Sequence, residues 1–139
     1  MSRNLERLQD AYAAFARGDT ALAFADLDPE CVFRAGSDLL PTGGEYHGKR
    51  EIVGRWLPTL AAHMPDLRLL IDEIVESGDT ICVTGTSRAT LAGSSIEVKS
   101  PFCHVWHFRA GKIAGARFFT DTAVLMDAIQ QRDGVMVHA

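Results

Sequence analysis

Cysteine is scarce in this chain, and its arrangement excludes two kinds of scaffold. Cys31, Cys82 and Cys103 are odd in number and form no CxxC pair, so neither a disulfide framework nor a cysteine-rich zinc site is expected. Reduced, half-buried thiols are the reading that remains. Histidine supplies no substitute, because His47, His63, His104, His107 and His138 never stand four apart on a helix or beside a cysteine pair, so no metal is expected. A glycine-rich phosphate loop between a strand and a helix is missing too, and no nucleotide or other cofactor is expected. Positive charge is short: 14 Lys and Arg against 18 Asp and Glu give −4, and the basic residues are scattered. A phosphate backbone would find no continuous strip, so nucleic acid is not an expected partner. Long apolar runs are also lacking. The opening MSRNLERLQDAYAAF is amphipathic from Leu5 onward and contains acids, unlike a secretory leader or a membrane span. No membrane contact and a cytoplasmic address are expected.

What is present is an ordinary globular composition, 47% hydrophobic and 23% charged over 139 residues, enough for one domain with one core across residues 1–139. Leu5, Leu8, Tyr12 and Phe15 recur at three- and four-residue steps and form one stripe of a first helix that Gly18 ends. Asp19 is placed to cap a short second helix carrying Leu22, Ala25 and Leu27, which stops by Asp28 because Pro29 disfavours helix before it. A short strand, Cys31 to Arg34, follows. Residues 35–48, with four glycines and a proline, read as a long loop, the kind that is usually functional in a compact domain. Ile52, Trp56, Leu60 and Met64 then share a helix face that Pro65 closes and Pro58 kinks.

From Leu67 the period changes to two. Strands near 67–75, 80–91, 95–109 and 113–119 are separated by the turn signals SGD, AGS and AGK, an antiparallel meander, and Asp121 opens a last helix. Helices followed by one strongly twisted sheet leave a concave space that the helices only partly fill. Strand 95–109 is the most informative segment. Phe102, His104, Trp106 and Phe108 fall on one side and Cys103, Val105 and His107 on the other, so both faces read as buried. An imidazole between Phe102 and Trp106 is poorly solvated, which favours its neutral form and suits proton transfer or orientation of a carbonyl. The other reading of His104 is a core histidine satisfied by backbone or water.

Three stretches, ARGDTALAFADLDPECVF, EYHGKREI and VWHFRAGKIAGARFFTDTAVL, give the chain a resemblance that spans nearly its whole length. They resemble the SnoaL-like branch of the nuclear transport factor 2-like (NTF2-like) superfamily, with ketosteroid isomerases, limonene-type epoxide hydrolases and polyketide cyclases among its members. The resemblance implies an α+β fold, a cone-shaped, curved antiparallel sheet wrapped around helices and enclosing an apolar pocket. A homodimer paired through the sheet and a small apolar, often cyclic ligand are implied with it. Aligned on the Gly111-Lys112 turn, the catalytic histidine of the polyketide cyclases falls on His104, whereas their acid/base aspartate position holds Phe118. The epoxide hydrolase positions near Gly85 and Ser87 carry no charged partner. Those of the ketosteroid isomerases fall near Ala11, Arg34 and His104, and do not supply that mechanism.

Further candidates each carry two readings. Asp38, in the long loop beside Leu39 and Leu40, reads as a second acid/base group at a pocket mouth or as turn chemistry. Arg34 reads as a ligand for developing negative charge or as an ion-pair partner of Asp38 or Glu45. Tyr46 reads as a donor to ligand or as packing against the third helix, and Asp121 as a pocket residue or as a helix cap. Phe33, Trp56, Phe102, Trp106 and Phe118 are expected as pocket walls. The resulting expectation is a small-molecule pocket protein, a cofactor-independent isomerase, cyclase or hydrolase acting on an apolar carbonyl compound or lactone through His104, Asp38 and Arg34. A non-catalytic binding module, or a dimerisation domain whose cavity is filled by its own side chains, are the rival readings.

Overall fold

The computed structural model describes residues 2–134; His138 lies outside the described residues. The first helix, α1 (Arg3–Ala16), begins where Ser2 Oγ accepts from the Leu5 amide at 3.0 Å, satisfying one of the amides that every helix start leaves unpaired. Its stripe of Leu5, Leu8, Tyr12 and Phe15 packs on the core. Asp19 caps α2 as expected, accepting from Leu22 at 3.1 Å, but α2 covers only Thr20–Ala23. The expected extension to Leu27 is corrected: Leu27 opens β1 (Leu27–Ala35) and pairs with Ile113. Sheet pairing thus recruits residues that helical spacing had claimed.

A second correction lies in the long loop. Its last residues form a strand, β2 (Gly44–His47), antiparallel to β1. The remainder, 36–43, folds back on itself closely enough that a Cβ on Gly43 would lie 1.7 Å from the Ser37 carbonyl oxygen, so only glycine fits there. After α3 (Gly48–Glu51), the chain widens into a π-helical turn (Ile52–Trp56), marked by Leu57 N donating to Ile52 O, before α4 (Leu57–His63). The expected distortion at Pro58 takes this form. The proline stands in the first turn of α4, where its missing amide costs least, and the irregularity moves one turn upstream.

The remaining strands are β3 (Arg68–Ser77), β4 (Thr80–Thr90), β5 (Glu97–Arg109) and β6 (Lys112–Thr120), followed by α5 (Thr122–Arg132). They form one curved, unclosed six-stranded sheet in the order β2-β1-β6-β5-β4-β3. The sheet is mixed rather than wholly antiparallel, because β1 lies parallel to β6. A bulge between Ile71 and Glu73 bends β3, and Gly85 opposite it has no room for a side chain, since a Cβ would meet Leu70 O at 2.0 Å. The inner face of the sheet, with α1, α2 and the π-helical turn, encloses the main core around the fully buried Phe33. A second cluster of Leu40, Leu91, Val98, Leu125 and Ala128 lets α5 close one end. No helix among the described residues is long and apolar enough to cross a membrane.

Candidate functional site

The main core does not fill its own interior. A cavity of about 160 Å³ remains between the inner sheet face, α1, the turn before α4 and the loop 36–43. For comparison, a dry engineered cavity of about 150 Å³ holds benzene. Its walls are overwhelmingly apolar, with Trp56, Phe102, Trp106 and Phe118 among them as expected. Trp56 and Phe118 stack at 5.2 Å with an angle of 9° between their planes, and Phe102 lies on the His104 ring at 4.3 Å. Phe33 does not line the cavity. It sits behind the walls, 5.3 Å from Trp56, 5.8 Å from Trp106 and 5.0 Å from Phe118, and braces all three edge-to-face.

His104 also lines the cavity, and Tyr12, which sequence periodicity assigned only to the apolar stripe of α1, reaches it from the opposite side. Tyr12 Oη stands 2.6 Å from His104 Nδ1, and Trp106 Nε1 lies 2.9 Å from Tyr12 Oη. The direction of these bonds follows from donor inventory. An indole N–H only donates, so Tyr12 Oη accepts it; the phenol's own hydrogen has no other acceptor among the described residues and goes to His104, whose Nδ1 is then bare. A neutral ring with a bare Nδ1 carries its proton on Nε2. No side-chain nitrogen or oxygen sealed from solvent lacks a partner among the described residues, so Nε2–H, which has no protein partner, presents itself to accessible space, the cavity.

Burial fixes the charge state as well. Among apolar and aromatic neighbours the imidazolium is desolvated, which lowers the His104 pKa to about 3, and the same burial raises that of Tyr12 above the ordinary phenol value. Both groups therefore stay neutral across the physiological range. Apart from this pair, the cavity's polar side chains are chiefly the hydroxyls Ser87, Ser100 and Thr120, and among the described residues no Asp, Glu, Lys or Arg lines it.

Four expected site residues lie elsewhere. Arg34 is exposed and pairs with Glu45 at 2.6 Å, because it follows the buried Phe33 and successive strand residues face opposite sides. Asp38 is exposed on the loop and does not line the cavity. Tyr46 is buried against Trp56, and its hydroxyl donates to Gly43 O at 3.1 Å, so it braces the loop. Asp121 caps α5, accepting from the Val124 amide at 3.2 Å. Among the described residues no three His, Cys, Asp or Glu side chains gather into a set able to hold a metal ion.

A curved sheet closed by helices over an apolar cavity, which one histidine of a central strand lines, defines a class of small-ligand pocket folds. The chain belongs to the SnoaL-like domain family, whose model matches residues 8–116. Among solved structures it is similar to an NTF2-like protein of unknown function from Burkholderia pseudomallei, with 31% identity, 93% of this chain and 98% of that chain covered, and a TM-score of 0.85. TerC, co-crystallised with polyporic acid, shares the fold at 23% identity and a TM-score of 0.83, with 93% and 99% of the chains covered. A SnoaL-like polyketide cyclase candidate from Jannaschia does so at 18% and 0.79, with 91% of each chain covered. A comparison with curated proteins finds no match.

Proposed function

We propose that the protein is a cofactor-independent enzyme that binds a small apolar cyclic carbonyl compound or lactone and promotes its isomerisation, ring closure or ring opening. The observation that carries this reading is the neutral His104, locked by Tyr12 with Nε2–H facing an apolar cavity. A carbonyl oxygen placed there accepts one oriented hydrogen bond, and negative charge developing on that oxygen strengthens it in a low-dielectric site. His104 acts as an electrophile, not as a base: delivering its proton outright would leave charge on the buried pair Tyr12–His104. With no carboxylate among the described residues lining the cavity, the proton lost from carbon passes to water or to a second oxygen of the substrate, which favours substrates whose C–H is already acidic. The protein's share of catalysis is then positioning and polarisation.

The second reading, a binding module without turnover, is favoured by that same lack of a carboxylate. In either reading two copies pair through the outer face of the sheet, where Phe119 is half exposed, and the address is cytoplasmic. The test is native mass spectrometry of protein purified from its own host, extraction of the bound compound, and its incubation with wild type and with His104→Gln and His104→Ala. Conversion by wild type that falls at least about 100-fold in both variants, with the fold retained, supports the enzyme. Full conversion by both variants removes His104 from the mechanism, and a compound returned unchanged by wild type establishes the binding module.

A further inference from the structure

The cavity has a second polar end, whose hydrogen bonds are spoken for in one direction only. Ser100, Phe102 and His104 share the inner face of β5, and Ser87 on β4 pairs with Ser100. The Ser87 hydroxyl donates to Ser100 O at 3.2 Å, which uses its one hydrogen. The Ser100 hydroxyl is buried and donates to Pro101 O at 2.8 Å, while accepting from the Asp121 amide at 2.9 Å. Its remaining contact, 2.8 Å to Thr120 Oγ1, must then be donated by Thr120. Of the cavity-lining hydroxyls, Ser87 and Thr120 have thus given their hydrogens to the protein and turn only lone pairs toward the cavity. Thr42, on the loop, also lines the cavity and keeps a rotatable hydroxyl without a partner among the described residues, able to donate or to accept.

Resting on the reading above that His104 receives a carbonyl oxygen, we infer that the ligand is a hydroxy-carbonyl compound, bound with its carbonyl at His104 and a hydroxyl donating its one hydrogen to Ser87 or Thr120. His104 only donates, and Ser87 and Thr120 only accept, so a ligand that sets acceptors against both leaves two lone-pair sets facing each other, while a wholly apolar one leaves these groups unpaired. The spacing sets the size. Four residues of strand separate Ser100 from His104, roughly 13 Å, and two hydrogen bonds of about 3 Å each leave roughly 7 Å between the ligand oxygens. That is the reach of a fused two-ring ketone, with the aromatic walls on either side of its rings.

The test uses four probes of one shape with the wild-type chain: tetralin, 1-tetralone, 6-methoxy-1-tetralone and 6-hydroxy-1-tetralone, with dissociation constants from ligand-observed NMR titration. The hydroxy compound is expected to bind about tenfold more tightly than the methoxy compound, whose oxygen accepts but cannot donate. Whichever of Ser87→Ala and Thr120→Val removes the acceptor brings that ratio to within about twofold. Equal binding of hydroxy and methoxy compounds by wild type overturns the inference, as does a preference that survives in both variants. The parent reading is judged separately, by 1-tetralone against tetralin: a preference for the ketone that His104→Phe abolishes keeps it standing even where the hydroxyl preference fails. Equal binding of tetralin and tetralone, or no binding of any probe at millimolar concentration, overturns both.

Discussion

β5 presents two histidines to two environments. His104 faces inward among Phe102, Trp106 and Phe118, with Tyr12 Oη 2.6 Å from Nδ1. His107 faces outward, is partly exposed, and among the described residues its side chain has one hydrogen-bond partner, the Thr80 hydroxyl at 3.3 Å. The residue type and the strand are the same, so the difference belongs to what packs on each face. On the inner face burial removes the charge and the Trp106–Tyr12 chain removes the choice of tautomer, which together turn an acid–base residue into a fixed hydrogen-bond donor. On the outer face no such chain of donors reaches the ring. A histidine on a strand is therefore set among rings at a cavity or turned to the outer face according to parity, a distinction that alternation alone can make.

The widest separation of the two faces is expected in acid. Burial lowers the His104 pKa from 6.5 to about 3, so below pH 6.5 the unfolded chain takes up a proton that the folded chain refuses. Stability is full above about pH 6.5 and declines as the pH falls, by up to about 1.4 kcal/mol per unit. Glu45, held low by Arg34, Glu51, held low by the His47 amide, and Asp66, held low by the Thr90 amide, add to the loss only below their ordinary range near 4. Between pH 6.5 and 4.5 the imidazole therefore acts nearly alone, and about 2–3 kcal/mol is expected to disappear. Urea unfolding across that interval checks it: His104→Phe should flatten the slope and His107→Phe should keep it. An unchanged slope in His104→Phe would place the acid sensitivity elsewhere.

A smaller effect tests the wiring instead of the burial. Tyr12→Phe deletes one oxygen and leaves Trp106 Nε1–H without an acceptor and His104 Nδ1 without a donor, at a cost of about 1–3 kcal/mol. It also frees the tautomer. Nitrogen-15 chemical shifts of His104 should report a bare Nδ1 and a protonated Nε2 in wild type, and a mixture in the variant. A wild-type ring protonated on Nδ1 would reverse the chain of donors and withdraw the electrophile.

Much of the sheet was legible because its signals are local. The turns at Gly78, Gly93 and Gly111 and the alternation of β5 need no distant partner, and Asp19 and Asp121 announce their helices by position. The parallel seat of β1 beside β6 and the four-residue β2 were not legible, since their identity lies in pairing with residues far along the chain. In the site, the walls Trp56, Phe102 and Trp106 followed from spacing and Phe118 only from its place in the family resemblance, whereas Arg34 was misplaced although its neighbour Phe33 already occupied the inward direction. Tyr12 left one signal, a hydroxyl on an otherwise apolar helical stripe. Its partner is 92 positions away, and Ser87, Ser100 and Thr120 join from three strands, so only the folded register unites them.

The smallest expected effect is on the outer face, where His107→Gln removes one long contact to Thr80 from a partly exposed position. Surface substitutions away from buried networks usually stay within about 0.5 kcal/mol, and glutamine keeps a polar group within reach of the hydroxyl. A loss below about 1 kcal/mol that does not change with protein concentration fits a His107 that meets solvent, outside the area covered by the proposed pairing of two copies. A loss above about 2 kcal/mol that shrinks as the protein is diluted has a different source, because a single contact at 3.3 Å cannot supply it. Mass action would then place the proposed second copy over His107 itself. The contrast along β5 would become one between a cavity and an interface, with His107 buried by a partner and His104 by its own chain.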